Sequence, residues 1–369
     1  MKNHKCSRPT SLAGPFAALA VIFLAGCNQL GPASIRNGRS LYNRAIIDSG
    51  DRQTLEMIAR LRYGESVGLL AVSSVTANIR VRATAGTEFG AWGNDREVAG
   101  NLVPFSTGFA YEENPTISYT PIDGAAYVRE LLSPIPIDLV FLLLGARPDK
   151  GMNMIALIES INGIRNRAFV IDPDQQDDRF LAIVDGITEL SRYGTVNWAR
   201  TAPGERGFAL VISRYAPDHT EAVTDLLELV GVPTDAVGTG QDVILPTWLS
   251  DGTTSRRGGL AIKTRSIFDL LTIAGASMEV PPEHVEAGWV TSYPELGAVG
   301  DMIRIQCSES APEAAMVAVE HHGWWYYIDA TDTASKESFR LIQTLVSVRI
   351  AESAKADAQL PILTVPVSR

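Results

Sequence analysis

The sequence predicts an α+β fold with a largely antiparallel sheet, in which hairpins alternate with helices. Three observations predict it. Segments of alternating hydrophobicity come in pairs, three such pairs each lead into a segment with a helical repeat, and the last pair is joined only by His322-Gly323. A two-residue connection makes its strands antiparallel, because parallel neighbours need a crossover of a dozen residues or more. Hairpins beside helices then place the chain in the α+β class.

Composition agrees with a folded chain. The 369 residues are 46% hydrophobic and 20% charged, with 31 Gly and 20 Pro. A wholly disordered, collagen-like or coiled-coil protein is excluded, and the length allows a sizeable core. Three Cys are too few for a disulfide scaffold. The net charge of −10 argues against nucleic acid as a partner, since Lys and Arg would have to neutralise phosphates.

Residues 1–26 read as a leader. Lys2, Lys5 and Arg8 precede an uncharged apolar run from Pro15 to Gly26. That run is shorter than the about 20 residues a spanning helix takes, and it has the length of a signal-peptide core. Residues 27–40 read as a tether. In the next region, 41–146, Leu41 to Tyr63 is helical with a break near Ser49-Gly50-Asp51, and Gly64 supplies a left-handed stop. From Val67 to Arg82 the period is two, which predicts one long half-buried strand. Residues 84–114 carry no periodic signal. A strand at Thr116–Pro121, a helix capped by Asp123 and reaching Leu132, and an apolar core helix at Ile137–Leu144 complete the region.

Residues 147–352 hold the strand-strand-helix units. A strand near Ile155–Glu159 leads to a turn at Asn162-Gly163, and a helix runs from Pro173 to Tyr193 with Phe180, Ile183, Val184, Ile187 and Leu190 on one face. Strands at Val196–Trp198 and Phe208–Ser213 precede a helix starting at Asp218, with Glu221 completing a capping box and Val223, Leu226, Leu227 and Val230 as its stripe. Strands at Val243–Leu245 and Leu260–Thr264 precede a helix capped by Ser266. Met302–Cys307 reads as a strand. Ala315–His321 and Trp324–Asp329 form the hairpin, and Asp332 caps a helix from Thr333 to about Glu352. In the tail, 353–369, the segment Gln359–Pro366 reads as an edge strand or an extended arm, because its prolines disfavour a central strand.

Leu24-Ala25-Gly26-Cys27, behind a basic start and an apolar run, resembles the lipobox of bacterial prolipoproteins. The resemblance implies cleavage before Cys27 and attachment of a diacylglycerol to its thiol. The chain would then be anchored in the membrane through lipidated Cys27. Asn28 in place of Asp implies the outer membrane, with the folded part facing the periplasm. Leader removal takes away only basic charge, so the mature chain is more acidic still. Cys6 departs with the leader and Cys27 is lipidated, which leaves Cys307 alone and forbids an intramolecular disulfide. A second resemblance rests on Leu61-Arg62-Tyr63-Gly64-Glu65, Asn114-Pro115-Thr116-Ile117-Ser118-Tyr119, Ser160-Ile161-Asn162-Gly163, and Trp324-Trp325-Tyr326-Tyr327-Ile328-Asp329 through Ser335-Lys336. These stretches look like those of uncharacterised bacterial envelope lipoproteins, and they bring no catalytic residues with them.

No cofactor is expected: the chain has neither a Gly-x-x-x-x-Gly-Lys phosphate loop nor a dinucleotide fingerprint. No Gly-x-Ser-x-Gly nucleophile turn occurs, and no catalytic residue is assigned. His321 and His322 are adjacent and on a strand would point to opposite faces, so one metal takes both only if the turn distorts. No metal-ligand set is therefore assigned. His284, His322 and Asp329, with Cys307 nearby, form the candidate polar site of a hydrolase. The run Trp324, Trp325, Tyr326 and Tyr327 is the candidate interface, with Trp324 and Tyr326 on one strand face and Trp325 and Tyr327 on the other. The expected function is a non-enzymatic binding or scaffold module in the periplasm with an envelope protein as partner. The alternatives are a lipid-anchored hydrolase and a small-molecule or glycan receptor using Trp324 and Tyr326.

Overall fold

The computed structural model describes residues 40, 42–76, 79–87, 105–113, 116–122, 124–146, 150–167, 178–200, 207–239, 241–250, 258–293, 300, 302–356 and 363–366. Contacts divide the chain into Met1–Arg52 and Gln53–Arg369. The described part of the first unit is the start of one helix, α1 (42–62), and the second unit holds all other elements. Cys27 and the leader lie outside the described residues.

α1 runs unbroken through Ser49-Gly50-Asp51, where a break was expected. A lone Gly costs a helix interior only about 1 kcal/mol, and the buried Leu55, Met57, Ile58 and Ala59 offset it. β1 (Leu69–Thr76) and β2 (Ile79–Thr87) follow one another, and β3 (Phe105–Glu113) and β4 (Thr116–Ile122) return beside them. Thr76 faces Thr116 and Ile79 faces Glu113, so the four strands make two consecutive antiparallel pairs. The single strand expected from Val67 to Arg82 is thus two. β3 lies in the stretch without a periodic signal, because Ser106, Thr107, Gly108 and Glu112 blur its alternation.

Three helices come next: α2 (Gly124–Leu132), α3 (Ile137–Ala146) and α4 (Lys150–Leu157). α3 buries Val140, Phe141 and Leu144 and exposes Leu142, as a one-sided core helix does. α4 takes the residues expected to open a strand at Ile155. A short apolar run such as Met154 to Leu157 fits a buried helix or a strand equally. β5 (Ile158–Ile161) begins only after it and turns into β6 (Ile164–Arg165).

α5 (Arg179–Arg192) buries the five expected residues, and β7 (Val196–Arg200) and β8 (Phe208–Ile212) follow. α6 (Thr220–Val230) has its expected stripe but no capping box. A 3₁₀ turn at Pro217–His219 precedes it, and His219 stands at the cap without a side-chain bond. Pro217 supplies helical φ at that position, so the turn starts ahead of Asp218. β9 (Val243–Leu249), β10 (Leu260–Thr264) and α7 (Ile267–Ala276) follow, and here the capping box forms: Asp269 N donates to Ser266 Oγ at 3.1 Å and Ser266 N to Asp269 Oδ2 at 2.8 Å.

The last elements are α8 (Pro282–Glu286), β11 (Gln306–Ser308), β12 (Ala315–His321), β13 (Trp324–Asp329), α9 (Thr333–Ala356) and β14 (Leu363–Pro366). β11 is shorter than the strand expected from Met302, because Met302, Ile303 and Ile305 enter the core before the ladder begins. Asp332 caps α9, accepting from Ser335 N at 3.0 Å and from Ser335 Oγ at 2.6 Å. Ser335 Oγ in turn accepts from Arg304 N at 2.8 Å, and Lys336 Nζ donates to Ala330 O. Ser335 and Lys336 thus fasten the helix start.

The fold is α+β. A six-stranded sheet has the order β6-β5-β10-β9-β8-β7, antiparallel except where β9 and β10 run parallel. β11-β13-β12 forms a three-stranded antiparallel sheet, and β1-β4-β14 another, with β14 at its edge. α9 packs against β1, β4 and β13, and α7 against α2 and α9. One buried cluster, Leu55 to Val346, draws on both 41–146 and 147–352. No helix among the described residues is long and apolar enough to cross a membrane.

The Asn162-Gly163 turn is a clamp as well as a reversal. Both residues are left-handed, and Asn162 Nδ2 donates to Val230 O at 2.7 Å and Gly259 O at 3.0 Å while its Oδ1 accepts from Ala261 N at 2.7 Å. Asn162→Ala removes these bonds and strains the turn, so it should cost about 3 kcal/mol. The check is a lower urea midpoint with an unchanged slope. The α9 cap adds a pH signature. The hydrogen bond from Ser335 holds the Asp332 carboxyl below its ordinary value, so its contribution is present above the unfolded-state pKa and disappears as pH falls through the depressed one. Acid unfolding of Asp332→Ala should lack that component.

Candidate functional site

Three backbone devices converge on one cluster of rings. At the end of α1, Gly64 adopts φ +69°, Glu65 N donates to Arg60 O at 2.9 Å and Gly64 N to Leu61 O at 3.1 Å. This paired reversal is the common left-handed helix stop, and it fixes Tyr63 and Glu65 on either side of the glycine. At the tip of the β12–β13 hairpin, His322 and Gly323 both have positive φ, +50° and +80°. That is the two-residue turn whose twist matches the strands. At α8, Pro281 and Pro282 set the entry, and His284 turns inward until 5% of it is exposed. Trp289 follows, its backbone N–H donating to His284 O at 3.0 Å.

Tyr63 is the hub. Its hydroxyl lies 2.6 Å from His284 Nδ1 and 2.5 Å from Tyr326 Oη. Its ring lies 5.1 Å from that of His321 and 4.8 Å from that of His322, centroid to centroid. The two imidazoles meet edge to face at 4.4 Å. Trp289 leans on His284 at 4.7 Å and reaches His322 at 5.9 Å. Glu65 Oε1 lies 2.7 Å from His322 Nε2 and 3.4 Å from His321 Nε2. Arg62, buried beside Tyr63, stacks on Tyr293 at 4.8 Å and accepts from Thr291 N through its carbonyl.

Electrostatics follow from burial. Burial first, and then the bond to Tyr63, push the Tyr326 phenol far above its ordinary value. Burial also raises Tyr63, against the bond from Tyr326. Both phenols are therefore neutral donors at physiological pH, each with one proton. If Tyr326 donates to Tyr63, then Tyr63 donates to His284 Nδ1. Burial lowers His321, outweighing the pull of Glu65. Burial opposes the charge on Glu65, but the hydrogen bond to His322 and the charges of His321, His322 and Arg60 offset it, and its carboxyl titrates below the usual range. Glu65, His321 and His322 thus bring three potential ligand atoms within 4.8 Å of one another.

The residues singled out from the sequence are placed as follows. His284 and His322 do meet, with centroids 6.4 Å apart. Asp329 does not join them: it sits at the far end of β13 and accepts from Thr331 N and Oγ1. Cys307 lies opposite Tyr326 in the ladder, with its thiol pushed up by burial and by Glu279 and Glu283. In the aromatic run Tyr326 is 0% exposed and presents no surface, while Trp324, Trp325 and Tyr327 are half-buried. His321 and His322 share one side, because the strand ends at His321 and the left-handed φ of His322 swings its ring back. Tyr63, Glu65 and Trp289 were not singled out. The Gly64 stop between Tyr63 and Glu65 was visible, but nothing local tied it to a hairpin over 250 residues away.

Tyr63→Phe leaves both a buried imidazole nitrogen and a buried phenol without a partner, whereas Tyr326→Phe removes one bond only. The first should cost about 2–4 kcal/mol and the second about half that. Thermal unfolding of the two variants orders them.

Comparison with protein-family models, with curated proteins and with solved structures returned no match, so the reading of this site rests on its own geometry.

Proposed function

We propose that this chain is a lipid-anchored protein of the bacterial envelope, tethered at the outer membrane through Cys27 and facing the periplasm. Its α+β unit binds another envelope component. The anchor reading is supported by the order of basic start, apolar run and Leu24-Ala25-Gly26-Cys27. Two attached acyl chains suffice for stable attachment, at about 0.8 kcal/mol per buried methylene.

The observation that carries the binding reading is Trp289. The residue is 54% exposed, and its ring rests on buried His284 and on His322. A large aromatic held on a fixed base at the surface is the side chain that dominates interface energetics elsewhere. The rest of the cluster favours binding over hydrolysis. His284 Nδ1 is engaged by a phenol, that phenol is held neutral, and Asp329 and the raised Cys307 thiol supply neither orientation nor attack.

Two measurements test this. Cys27→Ser should move the processed protein from the membrane to the soluble fraction, and processed protein that still sediments with lipid would sink the anchor. Co-purification from detergent-solubilised membranes should return a stoichiometric partner, and Trp289→Ala should weaken its capture by roughly 30-fold. Equal capture by the variant would refute the assigned contact.

A further inference from the structure

The tip of the β12–β13 hairpin gathers two imidazole nitrogens and one carboxylate oxygen. Two His and one acidic residue are an established ligand set for zinc and related divalent ions, with a further position left open. All three ligand atoms lie within 4.8 Å of one another, close to what one shared ion needs. Ligand atoms bound tetrahedrally at about 2.0–2.1 Å sit about 3.3 Å from each other. Glu65 Oε1 and His321 Nε2 are 3.4 Å apart and already meet that spacing. Glu65 Oε1 and His322 Nε2, at 2.7 Å, are hydrogen-bonded and have to part by roughly half an ångström. His322 is 40% exposed at a turn and has the freedom to do so.

The Glu65 carboxylate hydrogen-bonds His322 but only approaches His321. His321 Nε2 is buried, points within 3.4 Å of the carboxylate, and makes no hydrogen bond. A buried nitrogen left unpaired is costly, and such groups call for an explanation. A cation shared by all three residues gives this nitrogen a partner. The surroundings also fit: Tyr63 packs on both imidazoles and fixes their planes, and groups that orient metal ligands matter nearly as much as the ligands themselves.

We propose that Glu65, His321 and His322 form a mononuclear site for a divalent first-row transition ion, with zinc the best match. This goes beyond the binding role and holds whether or not the chain is lipid-anchored. The ion occupies the place now bridged by the Glu65–His322 hydrogen bond, and His322 binds it through Nε2 as the neutral imidazole whose proton has passed, through solvent, to Nδ1. It ties the end of α1 to the hairpin tip, beside the surface that Trp289 presents.

The test is zinc titration of the tag-free full chain in detergent, followed by calorimetry and thermal unfolding. One equivalent should bind, and the unfolding temperature should rise with zinc concentration, as linkage requires. Glu65→Gln and His321→Ala should each weaken binding by more than about 100-fold. His322→Asn is the decisive variant. Asn tolerates left-handed backbone and Asn-Gly is a favoured pair for this turn, so the variant folds at least as well while losing a ligand. Its near-ultraviolet dichroism should match the wild type and its zinc response should vanish. No saturable binding by the wild type at millimolar zinc overturns the proposal. So does a His322→Asn variant that binds as the wild type does, because the ion would then sit elsewhere, as at His219 or Cys307.

Discussion

The cluster depends on one buried hydroxyl. Tyr63 Oη is shared by His284 and Tyr326, which reach it from α8 and β13, while Tyr63 itself ends α1. These three elements lie far apart in the chain and their polar tips are removed from water. A phenol or imidazole in such a place is tolerated only when bonded, and a partly satisfied network is worse than an apolar one. Removing the hub therefore does more than lose a contact, since it turns two satisfied groups into two penalties. The same bonds fix the plane of the Tyr63 ring against which His321 and His322 pack.

Left-handed backbone does the remaining positioning. Gly64 carries it without cost, because it has no Cβ. His322 carries it at a cost of about 1 kcal/mol, yet the residue is a histidine. The hairpin would be better served there by Asn or Gly. Sequences depart from local preference chiefly where function asks it. At His322 the departure places an imidazole beside its neighbour's and against Glu65, which an extended strand cannot do.

Much of the fold was legible because its signals are local. The stripes of α5 and α6, the Ser266 and Asp332 caps, and the hairpin ends at His321 and Trp324 all follow from residues within a few positions of each other. Misreadings arose where two principles competed. At α4 an apolar run fitted helix and strand alike, at Gly50 packing overrode propensity, and at Pro217 a proline started the turn early. The site was half legible. His284 and His322 are rare residues and stood out by type. Their partners did not: Tyr63 is paired across 221 residues with His284 and 263 with Tyr326. Asp329 is near His322 in sequence, but an extended strand carries it to the far end of β13.

Rigidity at this site bears on the binding role proposed for it. Ordering a side chain on binding costs about 0.5–1.5 kcal/mol for each freely rotating group. Tyr63, His284 and Tyr326 are already held by burial and by one another, and His321 by its ring contacts, so a partner that docks on Trp289 orders little beyond that one ring. A ring with two torsions loses less than a long flexible chain. The phenols here are driven away from ionisation by the burial that makes the platform stiff. Stiffness and un-ionised phenols thus share one cause, the removal of these rings from water.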